Sequence, residues 1–112
     1  MRVFLCGDTE ELHNILKRML LVEHDVPVEA SSFQEGESKI AMVRELGCEV
    51  AVLHDSFGSS FYPTTGAGMA LKIREEFPGM RIVFCSPIKR DWGDANLEVP
   101  FLMQDLLNAV SG

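Results

Sequence analysis

Two aspartates and a serine each stand directly past a short apolar run. Asp8 follows Val3-Phe4-Leu5-Cys6-Gly7, Asp55 follows Val50-Ala51-Val52-Leu53-His54, and Ser86 follows Ile82-Val83-Phe84-Cys85. As residue types, carboxylates can ligate hard cations or act as nucleophiles, and a hydroxyl can hydrogen-bond a bound anion. Each also has a plain structural use. Asp8, before Thr9-Glu10-Glu11, suits a helix N-cap. Asp55 can start the turn after a strand, and Ser86 before Pro87 can simply end one.

Other constellations carry less. His54 and Cys85 each precede one of these residues, so the pleat points both toward the opposite face. Two soft ligands without a third do not make a zinc site, and the preferred reading is that both are core residues. Gly66-Ala67-Gly68 resembles a phosphate-binding turn but lacks the lysine and second half of a P-loop, which favours a loop. Phe57, Phe61 and Tyr62 beside it suit a small binding surface, a lid or local packing.

The three apolar runs are continuous rather than alternating, as in strands covered on both faces of a parallel sheet. Val26–Ala30 makes a weaker strand, with Pro27 arguing for an edge, and Asn96–Val99 a fifth. Helical spacing recurs between them. Leu12, Ile15, Leu16 and Met19 predict a first helix. Phe33, Ile40, Val43 and Leu46 predict a second, with Ser32 and Glu35 as a capping box and Gly47 as its stop. Met69, Ile73 and Phe77 predict a third, ended by Pro78-Gly79, and Met103, Leu106, Leu107 and Val110 a last one. Strands alternating with helices of this length imply a doubly wound α/β sheet, whose crevice lies at the carboxyl ends of the strands. Asp8, Asp55 and Ser86 fall there.

At 112 residues, 46% of them apolar, the chain suits one core and one domain, residues 1–112. No apolar run reaches the length of a membrane span, and the start is too short for a signal peptide. Three cysteines, an odd number without a CxxC pair, favour free thiols in a reducing cytoplasm. A formal net charge of −7 argues against nucleic-acid and anionic-membrane partners and for a basic protein face or a cation.

Taken in order, these features resemble the receiver domain of bacterial response regulators, over nearly the whole chain. Asp8 matches the acidic pair, Asp55 the phosphorylated aspartate and Ser86 the Ser/Thr switch position. Gly68–Pro78 is similar to the family's third helix and its exit, and Val99-Pro100-Phe101 to its Lys-Pro-Phe. The resemblance implies a five-stranded, doubly wound parallel sheet of order 2-1-3-4-5, the flavodoxin-like receiver fold. It implies Asp55 as phosphoacceptor, Mg2+ held by Asp8, Asp55 and the backbone carbonyl near Phe57, and Ser86 as the switch. Catalysis of an enzyme's own reaction is not implied. The partners would be proteins, such as a histidine kinase or a downstream regulator.

Four departures qualify the match. Gly7 stands where the acidic pair has its first carboxylate. Val99 stands where the family has a lysine, so Lys89 or Arg90 would have to supply a phosphate contact from the preceding loop. The Ser56–Ala67 loop is long and rich in Gly, Ser and Thr. Only 12 residues separate Ser86 from Val99, so the family's fourth helix must be shortened or lost. Two functions compete on these terms. One is a stand-alone, Mg-dependent phosphorelay receiver; the other is a pseudo-receiver that works as a non-phosphorylated interaction module. A flavodoxin-like cofactor binder is disfavoured, because Gly7-Asp8-Thr9-Glu10-Glu11 is acidic where a flavin phosphate wants a Ser/Thr/Gly-rich loop.

Overall fold

The apolar runs form strands in the computed structural model, which describes residues 1–56 and 64–112. The strands are β1 (Arg2–Gly7), β2 (Asp25–Ala30), β3 (Val50–His54), β4 (Arg81–Ser86) and β5 (Ala95–Glu98). They make one parallel sheet of order β2-β1-β3-β4-β5, the order expected. Pro27 lies on edge strand β2, where its missing N–H breaks no internal ladder. The register sets Gly7 opposite His54, His54 opposite Cys85 and Ser86 opposite Glu98.

Alternate side chains enter two cores. Val3, Leu5, Val50, Val52, Val83 and Cys85 face α1 (Glu10–Leu20) and α5 (Met103–Ser111), packing on Leu16, Leu20, Leu106 and Val110. On the other face, Phe4, Cys6, Ala51, Leu53, Ile82 and Phe84 meet α2 (Phe33–Ser38), α3 (Ile40–Glu45) and α4 (Thr64–Glu76). Most of these side chains are fully buried, each worth roughly 1.5–3 kcal/mol of transfer free energy for a large aliphatic group. The central strands are therefore fixed from both sides, and their carboxyl ends become a rigid platform. The three cysteines are free and buried. No described helix is long and apolar enough to cross a membrane.

Three local outcomes differ from the periodicity. The single helix expected from Phe33 to Leu46 is broken at Lys39, whose backbone sits at φ −103°, ψ 7°. Its N–H bonds Gly36 O three residues back, and its ammonium reaches across to Glu29 O at 2.5 Å and Glu35 Oε1 at 2.9 Å. Those anchors pull the turn out of the α-helical course. The capping box is also split: Ser32 Oγ accepts from Glu35 N–H, but the Glu35 carboxylate accepts from Ser31 N–H. Gly47, at φ +63°, does close α3, with Gly47 and Cys48 N–H returning to Arg44 and Val43 O.

The third difference is that α4 begins at Thr64, inside the loop expected over Ser56–Ala67, so Gly66-Ala67-Gly68 is helical, neither the loop favoured from the sequence nor a phosphate-binding turn. Gly66 allows close approach: a Cβ there would lie 2.7 Å from Phe84 Cζ and 3.1 Å from Trp92 Cζ3. Residues 87–94 are bends and irregular chain, with no helix among the described residues between β4 and β5. Trp92 covers the core there, edge-on to Phe84 at 5.2 Å between ring centroids. Asp94 fastens the return by exchanging two 2.7 Å bonds with the Ile82 backbone, accepting through Oδ2 and donating through N–H.

Candidate functional site

The strand ends bring Asp55 and Ser86 together. Asp55 continues β3, its N–H donating to Cys85 O at 3.2 Å, and its side chain has no exposure. A carboxylate so buried needs a partner. Arg90 supplies it, donating through Nε to Asp55 Oδ2 at 3.2 Å, with Nη2 3.0 Å from the same oxygen. The Arg90 side chain is 10% exposed, and its guanidinium also lies over the Trp92 ring at 4.5 Å. Phe84, Trp92, Arg90 and Asp55 thus stack into one connected column, and the helix-free crossover is what lets Arg90 turn inward.

Burial pushes the Asp55 carboxyl above the ordinary carboxylate range. The Ser86 hydroxyl and Arg90 act against that push, and the charge of Asp8 adds to it. Ser86 Oγ also accepts from Ile88 N–H at 3.1 Å, which ties the start of the crossover to the strand end. Of the two cations expected from this loop, Arg90 reaches Asp55 and Lys89 is exposed.

Asp8 is exposed at the end of β1, and its Oδ1 accepts from Thr9 Oγ1 at 3.1 Å. It is not the cap of α1. Thr9 is the N-cap, through its carbonyl to His13 N–H rather than through its side chain, because α1 starts one residue later than an Asp8 cap requires. Phe57, with the carbonyl expected to bind metal, lies outside the described residues, as do Phe61 and Tyr62.

The described residues make a poor fit to Mg2+. Gly7 brings no carboxylate, and the one buried carboxylate already faces a guanidinium. No group of three His, Cys, Asp or Glu that could hold an ion occurs among the described residues. Magnesium also favours one or two carboxylates open to its retained waters, which a fully buried Asp55 is not.

Gly7 has a second meaning. A Cβ on it would fall 2.3 Å from His54 Cγ, Nδ1 and O, so the imidazole occupies the room a side chain there would take. His54 and Cys85 do lie on the face away from Asp55, toward α1 and α5, but only Cys85 is plain core. His54 Nε2 is 2.9 Å from His13 Nδ1, His13 Nε2 is 2.9 Å from Glu29 Oε1, and Lys17 Nζ is 2.7 Å from Glu29 Oε2.

This polar chain borders a cleft of about 740 Å³ lined by Asp8, Glu10, His13, Asn14, Glu35 and Lys39 among others. Burial, with the adjacent His13, holds the His54 imidazole down to about 3, so it is neutral at ordinary pH. Burial acts to raise the Glu29 carboxyl, but bonds from Lys17 and His13 outweigh it and leave the carboxyl lowered. His13, Lys17 and Glu29 went unremarked in the sequence. Their only signal there is the i, i+4 spacing of His13 and Lys17, which puts both on one helix face.

No family model matches the sequence. No curated protein matches it either. Solved structures do. The Thermotoga maritima response regulator TrrA, in complex with Mg2+ and BeF, superposes with a TM-score of 0.76 at 15% identity, over 98% of this chain and 96% of that one. A CheY-like response regulator receiver domain protein from Methanospirillum hungatei gives 0.76 at 18% identity, over 98% and 90%. A response regulator receiver protein from Sinorhizobium medicae gives 0.72 at 26% identity, over 99% and 91%. Over nearly its whole length, then, this chain has the fold of the response-regulator receiver domains.

Proposed function

We propose that residues 1–112 form one receiver-fold signalling module that acts through protein contact without phosphorylation of Asp55. The observation that carries this is the buried Arg90–Asp55 ion pair. In a phosphoacceptor the carboxylate must reach an incoming phosphoryl group whose charge is offset by a cation. Here the nucleophile is covered, and its charge is already offset by an internal guanidinium. The Gly7–His54 packing supports the same reading, since it leaves no room for the missing acidic residue. The partner would be a protein, such as a histidine kinase or a downstream regulator, presenting a basic face to a chain of net charge −7. Neither nucleic acid nor membrane fits that charge, and the reading places the module in the cytoplasm, as the free thiols suggest.

One observation favours the rival, a Mg-dependent phosphorelay receiver. The Ser86 hydroxyl lies beside Asp55, where a switch residue would meet a phosphoryl oxygen, and Arg90 would then replace the lysine absent at Val99. A single experiment separates the two. The protein is treated with acetyl phosphate, or beryllium fluoride, with Mg2+, and followed by intact mass and backbone amide NMR. No adduct and unmoved amides at Asp8, Asp55 and Ser86 are expected. A phosphoryl adduct that Asp55→Asn abolishes would overturn the proposal and establish the rival.

A further inference from the structure

A cation that pairs with a wholly buried carboxylate must reach it with little water. Magnesium dehydrates reluctantly and keeps several waters, so it suits carboxylates open to solvent. A guanidinium is weakly hydrated, brings its own fork of N–H donors and stacks on aromatic faces. The end of β3 is built for the second kind of ion. The Asp55 side chain has no exposure, and Arg90 Nε and Nη2 meet its Oδ2 at 3.2 and 3.0 Å. The Trp92 ring lies against the same guanidinium at 4.5 Å.

Resting on the reading above, we infer that Arg90 is a resident counter-ion that takes the place of Mg2+ at Asp55, so that the strand ends answer to no divalent cation. The charges match. With Gly7 in β1 bringing no carboxylate, Asp55 is the one buried acidic side chain among the described residues, and a single guanidinium neutralises it. A divalent ion would bring one positive charge more than Asp55 carries.

The fold also delivers the guanidinium from a fixed crossover. Ile88 N–H donates to Ser86 Oγ at 3.1 Å at its start, and Asp94 is tied to the Ile82 backbone at its end. Between them, Arg74 Nη2 on α4 donates to Trp92 O at 2.8 Å, and Gly66 leaves room for the indole. Trp92 in turn stands edge-on to Phe84 of β4. Arg90 is thus backed by an aromatic ring that two elements hold in place. An internal cation set in this way keeps the strand ends in one arrangement, with or without metal.

The test uses Mg2+ alone, with no phosphodonor. Arginine side-chain and backbone 1H–15N signals of the intact wild-type chain are recorded with and without the ion. The expected result is a set of separate, slowly rotating Arg90 Nη signals that Mg2+ leaves in place, with unmoved amides at Asp8, Asp55 and Ser86. Arg90 Nη signals that average together, or that Mg2+ shifts or collapses, would overturn the inference. Arg90→Ala supplies a second measurement. Methylguanidinium should return its Asp55 and Ser86 amides toward their wild-type positions, and Mg2+ should not. Rescue by Mg2+, or none by methylguanidinium, would equally overturn it; if this variant does not fold, the wild-type spectra decide. The two readings fail separately. Displacement of Arg90 by Mg2+ without a phosphoryl adduct sinks the resident counter-ion and leaves the unphosphorylated module standing. A phosphoryl adduct on a chain whose guanidinium ignores Mg2+ does the reverse.

Discussion

Gly7 and His54 are register partners across the β1–β3 ladder, and the imidazole fills the space that any side chain at position 7 would need. Three His54 atoms lie 2.3 Å from the place of a Cβ, and one is the backbone carbonyl, which cannot rotate away. Gly7→Ala should therefore lower stability by about 1–3 kcal/mol, the usual cost of overpacking a filled core. Gly7→Asp should cost more, because it also buries a carboxylate. Urea denaturation checks both. Combining Gly7→Ala with His54→Ala should recover only part of the loss, since the carbonyl remains.

Arg90 is to Asp55 what a bound cation would be to an open carboxylate. Removing one member of a buried pair strands the other, which typically costs about 3–5 kcal/mol. Arg90→Ala should fall in that range by equilibrium denaturation, with the contact to Trp92 lost as well. Replacing both, as Asp55→Leu with Arg90→Met, should cost much less than Arg90→Ala alone. Equal losses for the single and double variants would mean that the guanidinium matters for packing and not for charge.

The two glycines near the start of α4 should respond in opposite directions. Gly68 is exposed with nothing within 4 Å of an added Cβ, so Gly68→Ala should stabilise by about 0.5–1 kcal/mol through helix propensity. Gly66→Ala gains the same propensity but drives a methyl into Phe84 and Trp92. Its melting temperature should fall, while that of Gly68→Ala rises.

What the sequence made legible is the part governed by period and spacing. Continuous apolar runs identified the buried strands, and the 12 residues between Ser86 and Val99 excluded a full crossover helix. Pairings set by the closed fold were not legible. Lys89 and Arg90 are adjacent cations in one irregular loop, and only the course of the chain past Trp92 decides which turns inward. His13 and His54 are 41 positions apart, and His13 and Glu29 are 16 apart, so no local pattern joins them. Gly7 read as an absent carboxylate, because the ring that occupies its space belongs to a neighbouring strand. The break at Lys39 was hidden by apolar spacing that runs on through it, since the anchor at Glu29 O lies on β2.

Acid should destabilise the fold through His54 before the carboxylates contribute. Its imidazole is lowered from an ordinary 6.5 to about 3 by burial and by His13. Below pH 6.5 the unfolded chain binds a proton at this residue that the folded chain does not. The stability it carries is thus complete above 6.5 and lost progressively as pH falls toward 3, with a limiting slope of about 1.4 kcal/mol per pH unit. Glu29 adds loss in the same direction only below its ordinary 4.5. Asp55 works in the opposite sense. Its raised value means a proton held more tightly in the fold, so its contribution is full below 3.8 and declines as pH rises above it. Urea midpoints measured between about pH 6.5 and 5 should fall steadily in the wild-type chain, and His54→Leu should flatten that slope by about one proton's worth. An unchanged slope in His54→Leu would show that another group binds the proton on unfolding.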